Sequence, residues 1–165
     1  MPDESDKKAA AGSVKEESDI SKKAITAKPT SSKLLVDGNE IEIAAYNINN
    51  SNYFKLRDIA QVVSGTTKQF DIAWDGQVNA ISIALYKAYT PVGGELSVAG
   101  DILEKTADST SSTIYLDGET VNLTAYNIDG NNYFKLRDIA AVIDFGVTWD
   151  EAAGTIGIDT SVLYQ

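Results

Sequence analysis

The sequence predicts an α+β protein made of two tandem repeats, each with five strands and one short helix. Three observations predict it: segments recur at a fixed offset, apolar residues alternate through most of each copy, and the period changes to helical once per copy. Val36-Asp37-Gly38 returns as Leu116-Asp117-Gly118, and Ala45-Tyr46-Asn47-Ile48 as Ala125-Tyr126-Asn127-Ile128. The stretch from Asn52 to Ala60, NYFKLRDIA, is repeated unchanged from Asn132 to Ala140. These pairs lie 80 positions apart; beyond them the offset falls to 75, matching Phe70 with Phe145, Trp74 with Trp149 and Tyr89 with Tyr164. A five-residue insertion within or near Ser64–Gln69 accounts for the change.

The elements follow in order. Leu34-Leu35-Val36 is a strand that ends in Asp37-Gly38, a pair suited to the two positive-φ positions of a tight hairpin. The return strand alternates, with Ile41, Ile43 and Ala45 on one face and Glu40, Glu42 and Ala44 on the other. After the polar turn Asn49-Asn50-Ser51 comes a short strand, Tyr53 to Leu56. Leu56, Ile59, Ala60 and Val63 then fall at the spacing of a two-turn apolar stripe, with Asp58 placed to complement the helix dipole. Leu136, Ile139, Ala140, Ile143 and Asp138 repeat the arrangement. Phe70, Ile72 and Trp74 alternate with Asp71, Ala73 and Asp75, and a turn leads to Ile81 and Ile83. Residues 34–96 are thus expected as the first repeat, 97–112 as a connector and 113–165 as the second repeat.

Residues 1–33 are expected to be a disordered tail or linker. Val14, Ile20 and Ile25 are their only branched apolar residues, too few to offset an ordering entropy of roughly 1–2 kcal/mol per residue. They contain no apolar h-region, so an export signal would lie outside this sequence. No run is apolar enough to span a membrane, and membrane insertion is not expected.

Composition narrows the chemistry. The chain carries 14 Lys plus Arg, 24 Asp plus Glu, and neither Cys nor His. That removes thiolate nucleophiles, imidazole bases and the usual ligands of zinc and copper, so no catalytic residue, metal or cofactor is expected. A net charge of −10 also argues against nucleic acid as a partner.

The series Asp-Gly, Ala-Tyr-Asn-Ile, Asn-Tyr-Phe-Lys-Leu-Arg-Asp-Ile-Ala and Trp-Asp, present twice, resembles the copper amine oxidase N-terminal domain-like family, or stalk domains. The segment Tyr89-Thr90-Pro91-Val92-Gly93-Gly94-Glu95-Leu96 is similar to that family's extension after the last strand. The resemblance implies, for each copy, a five-stranded antiparallel sheet wrapped around one short helix. It implies a location outside the cell or on its surface, in a bacterium of Gram-positive type. It implies no copper chemistry, which in those oxidases belongs to a separate His-bearing domain. The expected function is a non-catalytic structural or spacer module of a secreted or cell-surface protein. The alternative is a module that binds cell-wall glycan or another surface protein.

Candidate ligand-binding residues for that alternative are Tyr46, Asn47, Asn52 and Tyr53, with Tyr126, Asn127, Asn132 and Tyr133 in the second copy. If Ile41, Ile43 and Ala45 face the core, Tyr46 and Tyr126 face outward; if Phe54 and Leu56 do, so do Tyr53 and Tyr133. Exposed tyrosines beside asparagines can stack on sugars or enter a protein interface. The structural alternative lays these rings over the helix end, with only their hydroxyls wet. Trp74 and Trp149 share a face with Phe70 and Ile72 and are expected in the core. Arg57 and Arg137 are expected to bridge to a carboxylate or carbonyl at a sheet edge. Asp75 and Asp150 are expected to cap turns. Calcium at Asp71 and Asp75 is disfavoured by the lack of an Asp-x-Asp-x-Asp-Gly loop.

Overall fold

A computed structural model describes residues 25–30, 32–97, 103–110 and 112–165. The first copy contributes β1 (Ile25–Pro29), β2 (Lys33–Val36), β3 (Asn39–Ile41), β4 (Ala45–Ile48) and β5 (Ser51–Lys55). Helix α1 (Leu56–Val62) and the hairpin β6 (Phe70–Asp75) and β7 (Ala80–Leu85) complete it. The second copy has β8 (Lys105–Ser109), β9 (Thr113–Leu116), β10 (Glu119–Val121), β11 (Ala125–Ile128) and β12 (Asn131–Lys135). It ends with α2 (Leu136–Ile143), β13 (Gly146–Asp150) and β14 (Thr155–Asp159).

The strands do not form one five-stranded sheet per copy, and the expected fold is corrected here. Six strands close into a barrel in the order β1-β4-β5-β12-β11-β8, three from each copy. The others form two four-stranded sheets, β10-β9-β7-β6 and β13-β14-β2-β3, and each of these also mixes the copies. The mixing is reciprocal. β7 runs parallel to β9, with Ile81 opposite Ile114, and β14 runs parallel to β2, with Ile156 opposite Leu34. At the barrel seams equivalent residues face each other: Phe54 opposes Phe134, and Thr26 opposes Thr106. An approximate two-fold axis therefore relates the halves. The physical reason for the exchange is burial. A unit of about 60 residues buries a small share of its apolar surface and is marginal alone. Trading hairpins instead merges Leu34, Phe54, Phe70, Phe134, Phe145 and Ile156 into one core.

Two boundaries also move. β1 lies inside the segment 1–33 expected as a tail, and β8 lies inside the connector 97–112. Residues 1–24 of that tail are outside the described residues. Both strands have one buried side chain, Ala27 and Ala107, so neither shows the apolar alternation that marks a strand. Closing the barrel with them removes two sheet edges.

The local features read from the sequence serve this exchange. Asp37 and Gly38 take φ of 50° and 86°, and Asp117 and Gly118 take 48° and 88°. The Asp37 carboxylate accepts hydrogen bonds from the Thr160 amide at 2.8 Å and the Thr160 hydroxyl at 2.7 Å. On the opposite side, Asp117 accepts the Leu85 amide at 3.0 Å. Each hairpin turn is thus tied to the other copy. α1 begins at Leu56 and α2 at Leu136, both directly after a barrel strand, which places the helix starts beside the barrel wall.

Twin clefts between the copies

Four of the barrel strands, β4, β5, β11 and β12, are buried on both faces. Phe54 and Phe134 point to the main core, while Tyr46, Tyr53 and Tyr133 point into the barrel with Ile48, Ile128 and the two alanines. The period-two reading put the tyrosines on the correct face, but that face is a second interior. Tyr46, Tyr53 and Tyr133 are 6 %, 4 % and 5 % exposed, too little for any of them to stack on a ligand. Tyr126 is half-buried at the same cluster. Tyr46 meets Tyr133 edge-on at 5.2 Å between ring centroids, and Tyr53 meets Tyr126 at 5.4 Å, the geometry that ring quadrupoles favour. The outward-facing tyrosine surface is therefore corrected: these rings are the packing of the barrel.

Burial has an electrostatic consequence. Loss of hydration pushes the Tyr53 hydroxyl up to about 12, and it raises those of Tyr46 and Tyr133 as well. Folding thus favours the neutral phenols. Their contribution to stability is full below the ordinary tyrosine value near ~10 and falls as pH rises from there towards about 12. Alkaline titration is expected to show these phenols ionising late, together with loss of near-ultraviolet circular dichroism. Ionisation of all eight tyrosines at the ordinary value in a folded chain would contradict the buried cluster.

The asparagines have a different place. Asn52 Oδ1 accepts the Thr30 hydroxyl at 3.0 Å and the Asn47 amide at 3.4 Å. Asn47 Oδ1 in turn accepts the Asn50 backbone amide at 3.2 Å. The second copy repeats the set: Thr110 and Asn127 donate to Asn132 Oδ1 at 2.9 and 3.4 Å, and the Gly130 amide donates to Asn127. These bonds fix the hairpin tip. Among the described residues, the Nδ2 groups of Asn52 and Asn132 have no partner and remain available as donors.

Each asparagine hairpin forms one wall of a cleft whose other wall comes from the opposite copy. Asn127 and Asn132 face Trp74, Lys55 and Arg57 across about 570 Å³. Asn47 and Asn52 face Trp149, Lys135 and Arg137 across about 810 Å³. The floors are apolar, with Leu56, Ile72 and Ile81 in the first and Leu136, Val147 and Ile156 in the second. The two clefts are equivalents under the internal two-fold axis. Sequence reasoning missed them because their walls lie in different copies and meet only through the exchange.

The tryptophans stand in these clefts rather than in the core. Trp74 is 51 % and Trp149 49 % exposed, so their expected burial is corrected. Phe70 and Ile72 on the same face of β6 are buried, but by Trp74 the strand has run past the edge of the core. The indole Nε1 lies 3.4 Å from where a side chain on Gly76 would begin, so the chain's turn leaves room for the ring. No family model matches this chain, and no curated protein or solved structure matches it either.

The clefts differ at their arginines. Arg57 donates to the Tyr89 hydroxyl at 3.2 Å rather than to a carboxylate or carbonyl directly. Tyr89 donates to Glu95, which also accepts the Val92 and Gly93 amides at 2.7 and 2.9 Å. These bonds hold the Glu95 carboxyl down at about 2, with the tyrosine hydroxyl the largest cause. The Leu96 amide reaches the buried Asp58 carboxylate at 2.9 Å, and burial raises the Asp58 carboxyl above the usual range. Residues 89–96 are thus strapped along α1. Arg137 is exposed and has no hydrogen-bond or ion-pair partner among the described residues. Its neighbour Asp138 accepts the Thr124 amide at 2.8 Å.

Asp71, Asp75 and Asp150, the other acids weighed from the sequence, have structural partners. Asp75 accepts the Gln77 amide and Asp150 the Ala153 amide, both turn caps. Asp71 accepts the Thr90 amide at 2.9 Å and lies 4.0 Å from the Lys87 ammonium. Among the described residues no group of three or more acids is placed to hold a metal ion, and no helix is long and apolar enough to cross a membrane.

Proposed function

We propose that this chain is a non-catalytic glycan-binding module of a secreted or cell-surface protein. One observation carries the reading: twice in the molecule, a half-exposed indole faces an asparagine amide donor across an apolar-floored cleft. A sugar ring offers an apolar face for stacking and hydroxyls around its rim. An aromatic side chain opposite polar groups is suited to both. Exposed tryptophan in a concave site also differs from the scattered single apolar residues normal on a surface. Two clefts on one rigid body would engage a polymer by avidity, each site being weak alone. The resemblance to stalk domains supports the surface location, and the residue inventory supports the absence of catalysis. The candidate site moves from the tyrosines to Trp74, Trp149 and the asparagine walls.

The test uses the tryptophans as their own reporters, because the chain has only these two. Free protein is expected to show the red-shifted emission of wet indole and ready quenching by acrylamide. Soluble cell-wall glycan polymer is expected to shift emission to the blue and protect it from quencher. Trp74→Ala with Trp149→Ala should abolish polymer binding measured by calorimetry while leaving far-ultraviolet circular dichroism unchanged. Binding that survives both substitutions would reject the clefts. Absence of binding in the native chain would leave the spacer function.

A further inference from the structure

We infer that the cleft at Trp149 is specific for an anionic glycan, one whose repeating unit carries a carboxylate or phosphate, whereas its twin at Trp74 takes neutral units. This rests on the glycan-binding reading of the clefts and adds the charge of the ligand. The charge balance sets this cleft apart. The chain is strongly acidic, at −10, yet Lys28, Lys135 and Arg137 all line the Trp149 cleft, against the single acid Glu151. Three cations gathered on an acidic body repel one another and concentrate anions from solution.

The twin cleft shows what the same scaffold looks like without that specificity. Lys28 has as its counterpart Asp108, 80 positions on, which inverts the charge. Arg57, the counterpart of Arg137, is occupied by Tyr89 and lies one hydroxyl away from the Glu95 carboxylate. Only Lys55 is then left as an uncompensated cation lining that cleft. Arg137 has no such strap among the described residues, so its planar fork of donors is available. That fork matches the two oxygens of a carboxylate or phosphate bidentately, which a lysine ammonium cannot do. With Trp149 stacking the ring and the Asn52 amide donating at the rim, Arg137 would fix the charged substituent.

The experiment compares three soluble polymers on the intact chain at low salt: a neutral N-acetylhexosamine polymer, a polyuronate and a polyol phosphate. Acidic polymers should bind at least about tenfold tighter than the neutral one, an advantage that shrinks as salt is raised. The two acidic arms separate carboxylate from phosphate as the natural charge. Arg137→Gln should erase the advantage, and Glu151→Gln should enlarge it, a gain that misfolding cannot imitate. Lys87→Gln, which removes one cation outside both clefts, should leave the advantage intact. Equal binding of neutral and acidic polymers would overturn the inference but keep the glycan reading. An acidic preference insensitive to Arg137→Gln would overturn it too. No binding of any polymer would overturn both.

Discussion

Phe54→Ala is expected to destabilise the whole molecule by about 3–5 kcal/mol, not the first copy alone. Phe54 is 1 % exposed and Phe134 is fully buried, and they oppose each other where β5 meets β12 on the two-fold axis. Truncating one ring opens a cavity against the other, and both copies line it. Urea unfolding should be followed by far-ultraviolet circular dichroism and by the separate emission of Trp74 and Trp149 in single-tryptophan backgrounds. Native chain and variant should each show one coincident transition, with the variant midpoint lower at unchanged slope. Two separated transitions, with only the Trp74 signal shifted, would mean that the copies fold independently.

A fragment ending at residue 96, which carries one copy, is expected to have no folded monomer. Cutting there leaves β1, β4 and β5 as half a barrel. It also leaves the β2–β3 and β6–β7 hairpins without the parallel neighbours β14 and β9. A second fragment can supply all of these, because the two copies present nearly the same edges. The fragment should therefore sediment as a dimer whose thermal midpoint rises with concentration, and unfold on dilution. A monomeric fragment with dispersed amide resonances at low concentration would contradict the exchanged sheets.

How much of this was legible beforehand follows from what alternation can report. The period identified most of the strands, both helices and the correct face of Tyr46, Tyr53, Tyr126 and Tyr133. It sorts residues onto two faces but does not say which face meets water. Ile48 and Ile128, on the tyrosine face, were the hint that this face is interior too. β1 and β8 gave no alternation because bulky rings in a narrow barrel leave room only for Ala27 and Ala107 there. The repeat itself did extend that far, through Thr26 with Thr106, Ala27 with Ala107 and Thr30 with Thr110. Following the offset upstream would have found both strands. The exchange was not readable at all. Two copies with matching edges fit each other as well as themselves, and only chain geometry decides between them. The clefts, Trp74 and Trp149 were lost with it.

The parallel pairing of β2 with β14 gives the molecule a mechanical character. The two strands are held together by four registered residue pairs, from Lys33 with Thr155 to Val36 with Ile158. β2 lies near the beginning of the described chain and β14 near its end. Tension drawn through the two ends first loads β1 in the barrel wall; passed on to β2, it pulls β2 and β14 past each other along their length. All the hydrogen bonds between them then carry load at the same moment, as in a glued lap joint, where a hairpin pulled from its open end would peel one bond at a time. Because the joint fastens the first copy to the second, the fold resists stretching as a unit. A chain held under tension would keep its two copies fastened to each other until that joint shears.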